Sequence, residues 1–409
     1  MKFTLYAGLA GLVALPAVLA QARISNSDVA SAVVVPDTYI VKFKANADAT
    51  KKKKYTDNLN TKAKKGNKKG VVDSISLAGI DAAVVEISAS EMKTLLESDQ
   101  IEYVERDTIA NVSGVATPLE KRAYVSQADA PWGLARLSHN TAARGASSYY
   151  YDSTAGTGVR VYILDTGIRT THTDFGGRAV WGKNFIAGSP NTDEYGHGTH
   201  VAGTVAGTKY GVAKRATVVA VKVLDKNGSG TMAGILQGIQ WAVADAKAKG
   251  VAKKSVINLS LGGYYSASVN AGIKAATDAG ITVVVAAGNS NDNASYYSPA
   301  SAASAITVGA IEGTKGRAYF SNYGTSVDIF APGVSILSTY HTSNTATYYM
   351  DGTSMACPHV AGLAAYFISK EGLSGSVAVT SRIIGASIKD AVRDPYGSYN
   401  RLAYNAGGQ

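Results

Sequence analysis

One serine of the chain, Ser354, stands where a hydroxyl could gain reactivity. It lies in a turn of small residues, 352–362, that leads into an apolar, alanine-rich run at 361–368 predicted to be a buried helix. The amino end of a helix has free N–H groups and partial positive charge, which stabilise an oxyanion that forms beside the hydroxyl. A serine alone is a poor nucleophile. The chain must also supply a base, a residue that orients the base, and an oxyanion site.

Two further motifs could supply the base and the residue that orients it. Asp165 follows the apolar run 160–164 and begins an Asp-Thr-Gly motif. A carboxylate at the end of a buried strand is partly desolvated and can accept a hydrogen bond from an imidazole. His197 lies between two glycines, which allow other backbone to come close. His197 therefore fits a general base that Asp165 would orient.

Both motifs also have other interpretations. Aspartic proteases contain Asp-Thr-Gly, but they contain it twice and follow it with Ser or Thr, whereas here it occurs once and is followed by Ile168. His197 and His200 could bind a metal, but the His-Glu-x-x-His pattern is missing and the sequence shows no third ligand. We interpret His200, His172 and His359 as packed structural histidines.

A fourth motif could stabilise negative charge. The β-branched run 283–285 ends in small residues and is followed by Asn289, whose side-chain amide can donate N–H to a developing oxyanion. Asparagine also suits an ordinary turn, so this motif is weak alone. It gains weight from the other three.

The elements that would carry these motifs predict a parallel sheet. Strand-like segments lie at 159–164, 217–224, 255–261 and 281–286, and helix-like segments lie at 201–205, 230–248 and 269–279. Continuous apolar strands that alternate with helices indicate an α/β fold with a sheet covered on both faces. Sites in such sheets lie at the carboxyl ends of the strands, where Asp165 and Asn289 fall.

Composition indicates an exported globular protein. The chain has 409 residues, of which 46% are hydrophobic and 17% charged, so it is not of the disordered class. Residues 1–20 have the pattern of a secretory signal, and no later run of about 18 apolar residues predicts a membrane span. The only cysteine, Cys357, excludes an intramolecular disulfide. We interpret it as a core residue rather than a reactive thiol.

A break in composition near Lys121-Arg122 divides the chain. The segment before it predicts strand, helix, two strands, helix and strand, which is a small α+β unit. Its lysine-rich stretch, 51–69, fits a solvated helix face better than a nucleic-acid patch. The dibasic pair suits cleavage by a processing protease, which would leave residues 123–409 as the mature chain.

Three motifs, in chain order, resemble the signature segments of the subtilisin-like serine proteases: 165–167, 197–203 and 352–356. The segments 130–136 and 322–324 further resemble the proteinase K branch and, within it, the cuticle-degrading proteases of nematode-trapping fungi. The resemblance implies a subtilisin-like parallel sheet flanked by helices over 123–409. It also implies a propeptide at 21–122, whose ferredoxin-like inhibitor and chaperone domain spans about 37–112.

The resemblance assigns a role to each motif residue. Ser354 would be the nucleophile, His197 the base and then the acid, and Asp165 the residue that holds the imidazole. Asn289 would form the oxyanion hole together with the N–H of Ser354. Extended peptides would bind between two glycine-rich edges beside the wall of a first pocket. The edges are Asn227-Gly228-Ser229-Gly230 and Ser260-Leu261-Gly262-Gly263, and the wall residues are Ala286, Ala287 and Gly288.

The chemistry needs no cofactor, but the resemblance implies that a structural calcium ion could bind. The strong calcium site of proteinase K relatives uses one aspartate and backbone carbonyls, and the matching positions are Asp328, Ala303 and Ala305. A single carboxylate is thin evidence, because Asp328 could equally cap a turn. Proteinase K relatives often contain disulfides, which this chain cannot form.

These features together predict a secreted, monomeric serine endopeptidase of broad specificity. It would cleave proteins and peptides through an acyl-enzyme and would be inhibited by its own propeptide. No nucleic-acid or membrane partner is predicted. Host or nematode cuticle is suggested as a substrate by the resemblance alone. The alternative is a catalytically silent protein that keeps the fold and holds peptides in its groove.

Overall fold

The computed structural model describes residues 22–26, 34–65, 67–112, 130–140 and 148–407. The predicted signal segment, 1–20, and the dibasic pair Lys121-Arg122 lie outside these residues. Within them no helix is both long and apolar enough to cross a membrane.

The helices and strands follow the predicted alternation. The described strands are β1 (Arg23–Ile24), β2 (Val34–Phe43), β3 (Gly70–Leu77), β4 (Ile80–Glu86), β5 (Ile101–Val112), β6 (Arg160–Asp165), β7 (Ala179–Asn184), β8 (Thr217–Lys222), β9 (Ser229–Thr231), β10 (Ser255–Leu259), β11 (Leu261–Tyr264), β12 (Thr282–Ala286), β13 (Tyr297–Ser298), β14 (Ile306–Ile311), β15 (Ile329–Pro332), β16 (Ile336–Thr339), β17 (Thr347–Met350), β18 (Ile388–Lys389) and β19 (Arg401–Leu402). The described α-helices are α1 (Ala49–Lys65), α2 (Ala89–Leu96), α3 (Trp132–Ser138), α4 (His197–Ala206), α5 (Met232–Ala248), α6 (Ala267–Asp278), α7 (Thr353–Glu371) and α8 (Ser376–Ala386).

The central sheet contains nine of the described strands, in the order β18-β19-β15-β14-β12-β10-β6-β8-β7. Its pairs are parallel except β18 with β19. Every residue of β10 and β12 is buried. Strands this continuous in burial need helices on both faces of the sheet. The predicted α/β architecture is therefore confirmed.

Alternate residues of β6 show how the two faces are covered. Val161 and Ile163 join the core cluster that contains α4 and α7, whereas Tyr162 and Leu164 join the cluster that contains α5 and α6. Helix α7 is buried from Thr353 through Ile368, so it is a central helix rather than a surface one. The helix that carries Ser354 is thus held by the core.

Residues 34–112 form a separate α+β layer, called here the amino-terminal unit. Strands β5, β2, β4 and β3 pair antiparallel in that order, and α1 and α2 cover one face. The other face packs its Ile40 and Ile75 against Leu236 of α5. The strand and helix order matches the predicted ferredoxin-like unit. Most residues of the lysine-rich α1 are exposed or half-buried, as a solvated helix face requires.

Candidate active site

Asp165 and His197 form a buried pair between a strand of the central sheet and a helix that packs on the sheet. Asp165 is the last residue of β6 and His197 is the first residue of α4. His197 Nδ1 lies 2.8 Å from Asp165 Oδ1 and 2.9 Å from Oδ2, and both side chains are fully buried. An ionised carboxylate only accepts hydrogen bonds, so Nδ1 carries the proton. His197 Nε2 is buried and has no partner among the described residues, which leaves its lone pair ready to accept a proton.

The glycine next to His197 permits this approach. A Cβ atom at Gly198 would lie 2.1 Å from the carbonyl oxygen of Gly167 and 3.2 Å from Asp165 Oδ1. Any side chain there would push α4 away from the end of β6. Gly198 therefore allows the close backbone approach that the sequence predicts beside His197.

Ser354 lies at the amino end of α7, as predicted, but in a helix that begins earlier than expected. It is the second residue of α7, after Gly352 as the N-cap and Thr353. Its hydroxyl donates a hydrogen bond to the carbonyl oxygen of Ser260 at 2.8 Å. The nucleophile candidate therefore has a defined partner on the edge segment 260–263.

Asn289 is held by the residue before Ser354. Its Oδ1 accepts hydrogen bonds from the N–H of Thr353 at 2.9 Å and from the Thr353 hydroxyl at 2.8 Å. Because a backbone N–H can only donate, the amide oxygen must face Thr353 and the Nδ2 donors must face away. No described residue accepts a hydrogen bond from Nδ2. Asn289 thus presents free N–H groups beside the amino end of α7.

Asp193 is a buried carboxylate that was not predicted from the sequence. It binds a neighbour of Asp165 and a neighbour of His197. Its Oδ1 accepts a hydrogen bond from the hydroxyl of Thr166, and its Oδ2 accepts two from the N–H and hydroxyl of Thr199. Thr166 follows Asp165, and Thr199 lies in the first turn of α4. Asp193 therefore ties the carboxyl end of β6 to the start of the helix that begins with His197.

Three other histidines, His200, His172 and His359, contact backbone carbonyl oxygens. His200 Nε2 contacts the carbonyl oxygens of Ile336 and Tyr348 at 2.9 and 3.0 Å, and burial lowers the pKa of His200 to about 3. The ring nitrogens of His172 and His359 also contact carbonyl oxygens. A nitrogen that donates to a carbonyl cannot ligate a metal. In the described ranges no three His, Cys, Asp or Glu residues are grouped to hold one.

The two glycine-rich edges lie on either side of β5 of the amino-terminal unit. β5 pairs antiparallel with β9 and with β11, so Asn111 lies opposite both Ser229 and Gly262. Its neighbour Ala110 lies opposite Gly230 and is fully buried. The chain's own strand thus runs where a substrate backbone was expected.

Not all predicted edge residues pair with β5. Asn227 and Gly228 form the turn that leads into β9, and Gly228 has a φ of 74°, which favours glycine. Thr231, which the sequence analysis left out, pairs with Ile109 instead. On the other edge Leu261 pairs with β5, whereas Ser260 is hydrogen-bonded to Ser354.

The predicted wall residues Ala286, Ala287 and Gly288 connect β12 to Asn289. Gly288 has a φ of 102°, and a Cβ atom there would lie 2.4 Å from Nδ2 of Asn322. That Nδ2 donates to the carbonyl oxygen of Ala287 at 2.9 Å. The side chains of Ala286 and Ala287 are buried in two core clusters, so a pocket here would be bounded chiefly by backbone.

Two buried carboxylates of β5 reach the amino ends of helices. Glu105 accepts hydrogen bonds from the hydroxyl of Ser266 and the N–H of Ser268 at the start of α6. Asp107 accepts one from the N–H of Ala233 at the start of α5, at 3.1 Å. Burial raises the pKa of Glu105, and it raises the pKa of Asp107 to about 7.

Asp328, the candidate calcium ligand, is hydrogen-bonded to backbone. Its Oδ2 accepts from the N–H of Thr307 at 2.9 Å, and burial raises the pKa of its carboxyl to about 6. A buried carboxylate with a raised pKa is an oxygen ligand that a cation would stabilise in its charged form, so its chemistry fits calcium. Ala303 and Ala305 lie just before β14, four and two residues before Thr307 respectively.

Comparisons with known proteins identify both parts of the chain. Residues 156–398 match the model of the subtilase family, and residues 38–113 match that of peptidase inhibitor I9. "Subtilisin-like protease 2" of Pseudogymnoascus destructans is 44% identical over 92% of this chain and 90% of its own length. The "cuticle-degrading serine protease" of Arthrobotrys oligospora is 40% identical over 94% of this chain and 93% of its own.

A solved structure agrees with these matches. The crystal structure of a cold-adapted subtilisin-like serine proteinase superposes with a TM-score of 0.64 at 38% identity, and the match covers 68% of this chain and 99% of that one. The predicted resemblance is confirmed, and with it the assignment to serine proteases rather than aspartic proteases. The chain belongs to the subtilase family of serine proteases and contains a peptidase inhibitor I9 region ahead of its protease region.

Proposed function

We propose that the chain is a secreted endopeptidase that cleaves proteins through Ser354, His197 and Asp165. One observation carries the proposal: His197 Nδ1 is bound to Asp165, while Nε2 is buried and has no partner in the described part of the chain. An imidazole held this way can use its free lone pair to take a proton from a nearby donor. Ser354, on the first turn of α7, is the hydroxyl that we assign as that donor.

The reaction would proceed by acyl transfer. The Ser354 side chain rotates from the carbonyl of Ser260 towards His197 Nε2, and its oxygen attacks the peptide carbonyl carbon while Nε2 takes the proton. His197 then gives this proton to the leaving amine as the C–N bond breaks, which leaves an acyl-enzyme. Water repeats the sequence and releases the acid. Asp165 stays ionised and stabilises the imidazolium throughout.

We assign the oxyanion hole to Asn289 Nδ2 and the N–H of Ser354. The first donor is aimed by Thr353, and the second is one of the free N–H groups at the start of α7. Donors that are already oriented stabilise charge that develops only in the transition state.

Replacing Asn289 by leucine is expected to lower kcat by about 10² to 10³-fold and to leave KM within a few-fold, because the lost hydrogen bond forms only with the oxyanion. Steady-state kinetics on a peptide anilide would measure both constants. Thr353→Val, which removes the hydroxyl that holds Asn289 Oδ1, should lose less, and Thr353→Ser should restore activity. A loss confined to KM would show that Asn289 binds ground-state substrate instead.

The proposed function is tested by covalent labelling. A serine-directed sulfonyl fluoride should abolish casein cleavage by the processed protein, and peptide mapping should place the added sulfonyl group on Ser354. Cleavage that survives complete labelling, or a label on another residue, would contradict the assignment. A folded and processed protein that does not cleave casein would favour the peptide-binding alternative.

We further propose that the amino-terminal unit inhibits the protease by occupying its groove. The support is the pairing of β5 with both β9 and β11, together with the inhibitor I9 match. The central sheet is parallel and non-local, and such sheets fold slowly. A unit that packs on α5 and α6 while filling the groove can both template folding and block premature cleavage.

Inhibition by the amino-terminal unit is expected to weaken as pH rises. Docking raises the pKa of Asp107 from its ordinary value of about 4 to about 7, so the docked state holds a proton that the free unit has lost. The inhibition constant of separately added residues 37–112 should therefore increase at least about tenfold between pH 5 and pH 8.

Asp107→Asn should reduce this pH dependence, because it removes one of the two carboxyls of β5 whose pKa burial raises, Glu105 being the other, and keeps an oxygen for the N–H of Ala233. Asp57→Asn changes an exposed carboxylate on α1 and serves as the matched control. An inhibition constant that is unchanged, or that decreases, between pH 5 and pH 8 would refute this linkage.

We propose that the enzyme acts outside the cell as a monomer, on proteins that include cuticle. Support for export comes from the signal-like segment 1–20, and support for the substrate comes from relatives named as cuticle-degrading proteases. We also propose Asp328, with the carbonyl oxygens of Ala303 and Ala305, as a structural calcium site. Calcium there would supply folding stability and take no part in the reaction.

A further inference from the structure

A proline interrupts the hydrogen bonding of α7 directly below the nucleophile. Pro358 lies inside the helix and is buried. Proline has no N–H, so the carbonyl four residues earlier cannot form its usual helical bond. That carbonyl belongs to Ser354. A buried carbonyl without a partner costs free energy, so another donor must replace the missing N–H.

The replacement is the side chain of Ser260. Its hydroxyl donates to the carbonyl oxygen of Ser354 at 2.9 Å, and in return the Ser354 hydroxyl donates to the carbonyl oxygen of Ser260. Both residues are fully buried. The same two residues are thus joined by two reciprocal hydrogen bonds, one of which reaches the carbonyl that Pro358 leaves without a helical donor.

Two more buried side chains fix the direction of the Ser260 hydroxyl. A carbonyl oxygen only accepts, so Ser260 Oγ must donate to Ser354 and can accept from Asn258 Nδ2, which lies 3.0 Å away. The Oδ1 of Asn258 then faces Cys357, whose Sγ lies 3.3 Å from it. Burial raises the pKa of the Cys357 thiol, so it keeps its proton and can donate. The chain of donors from Cys357 to Ser354 therefore runs in one direction.

We propose that Ser260 is a positioning residue whose hydroxyl replaces the helical hydrogen bond that Pro358 removes, and so holds the first turn of α7 in place. The inference rests on the proposed role of Ser354. The turn carries both the Ser354 hydroxyl and the Ser354 N–H, so a shift would misplace the nucleophile and the oxyanion donor together. This is a function for the side chain of Ser260, beyond the backbone edge assigned to it above.

Ser260→Ala is expected to lower kcat by about tenfold to a hundredfold, because displacements of up to about 1 Å at a reacting group cost this much. KM should stay within about threefold, since the backbone of the edge is unchanged. Activity is normalised to active sites by burst titration, so that unfolded protein does not count. The matched control is Ser255→Ala, which removes another fully buried serine hydroxyl that donates to a carbonyl, that of Val251 at 2.9 Å. It should lower Tm and leave kcat unchanged.

A double-mutant cycle tests the link to Pro358. Pro358→Ala restores an N–H that can bond the carbonyl of Ser354, so Ser260→Ala should cost at most about threefold in that background. Equal losses with and without Pro358→Ala would show that the hydroxyl does not act through this carbonyl. A Ser260→Ala enzyme with wild-type kcat per active site would refute a positioning role outright.

A third variant keeps the test valid if Pro358→Ala does not fold. Ser260→Cys has nearly the same shape, but its thiol is only a weak donor, so the carbonyl of Ser354 is poorly bonded and kcat should fall in the same direction as in Ser260→Ala. Wild-type kcat per active site in Ser260→Cys would contradict the need for a hydroxyl donor at this position. If Ser354→Ala is inactive while all these variants match wild type, this inference fails and the proposed function stands.

Discussion

Replacing Ser354 by alanine is expected to lower kcat for casein-derived peptides by about 10⁶-fold while Tm and substrate binding remain close to wild type. Alanine removes the attacking oxygen and leaves both oxyanion donors, Asn289 Nδ2 and the backbone N–H at position 354. Some rate above that of water should remain, because those donors and the groove still act. Initial-rate assays would measure the wild type, and assays of the same peptide over days would measure the slow variant.

The same variant reveals how the amino-terminal region is removed. If the cut is intramolecular, the intact mass of Ser354→Ala should equal that of the uncleaved chain, with β5 still joined to the rest. If another protease cuts at Lys121-Arg122, the variant should be processed like wild type. Ser255→Ala, which also removes a buried hydroxyl, is the control for folding and should mature normally. Casein cleavage by Ser354→Ala at a wild-type rate would overturn the assignment.

Motifs at strand and helix ends could be placed from the sequence because local rules govern them. The carboxyl-end rule for parallel sheets brings Asp165 and Asn289 to one edge, and small residues around His197 and Ser354 indicate close backbone contacts. Both helices that follow were predicted too short. α4 begins at His197 and α7 at Thr353, although glycine and proline lower helix propensity there. Burial in the core outweighs that local preference.

Contacts between distant residues could not be predicted in this way. Asp193 and Thr166 are 27 residues apart, and Ser260 and Ser354 are 94 apart. No periodicity or spacing connects such pairs, because the fold alone brings them together. Pro358, four residues after Ser354, was the available signal for the second pair: in a helix that begins at Thr353 it leaves the carbonyl of Ser354 in need of an outside donor. The segment 255–261 was likewise predicted as one strand, and it divides at Ser260 because that residue bonds to Ser354.

The groove was predicted from glycine composition, but its occupant was not. Gly262 and Gly230 indicated where another backbone could approach, and the structure places β5 between them. The helix-end contacts of Glu105 and Asp107 depend on how two separately folded layers dock, which neither layer's own pattern reveals. Through these contacts the amino-terminal unit also binds the protease region outside the groove. They add a second part to its attachment, in which burial raises the pKa of both carboxyls.

Asp165→Asn is expected to lower kcat by about 10⁴-fold at neutral pH although the shape of the side chain is kept. The N–H of Thr166 donates to Asp165 Oδ1 at 2.7 Å, so the oxygen of an asparagine would stay at that position. Its NH₂ group would take the position of Oδ2, 2.9 Å from His197 Nδ1, and because an NH₂ group only donates it favours Nδ1 as an acceptor. The imidazole proton would move to Nε2, and Nε2 could no longer take the proton of Ser354.

Two quantities are measured for Asp165→Asn: the rate of cleavage and the tautomer of the His197 imidazole. Kinetics of the processed protein would give kcat, and ¹⁵N chemical shifts of the imidazole would show whether Nδ1 or Nε2 carries the proton. Asp174→Asn, a carboxylate that accepts from the N–H of Lys209 at the far end of α4, controls for the loss of one charge and should match wild type. A large loss of rate with the proton still on Nδ1 would mean that Asp165 acts through its charge alone. A loss below tenfold would mean that His197 does not depend on Asp165. The role of Asp165 in orienting the imidazole would then be wrong.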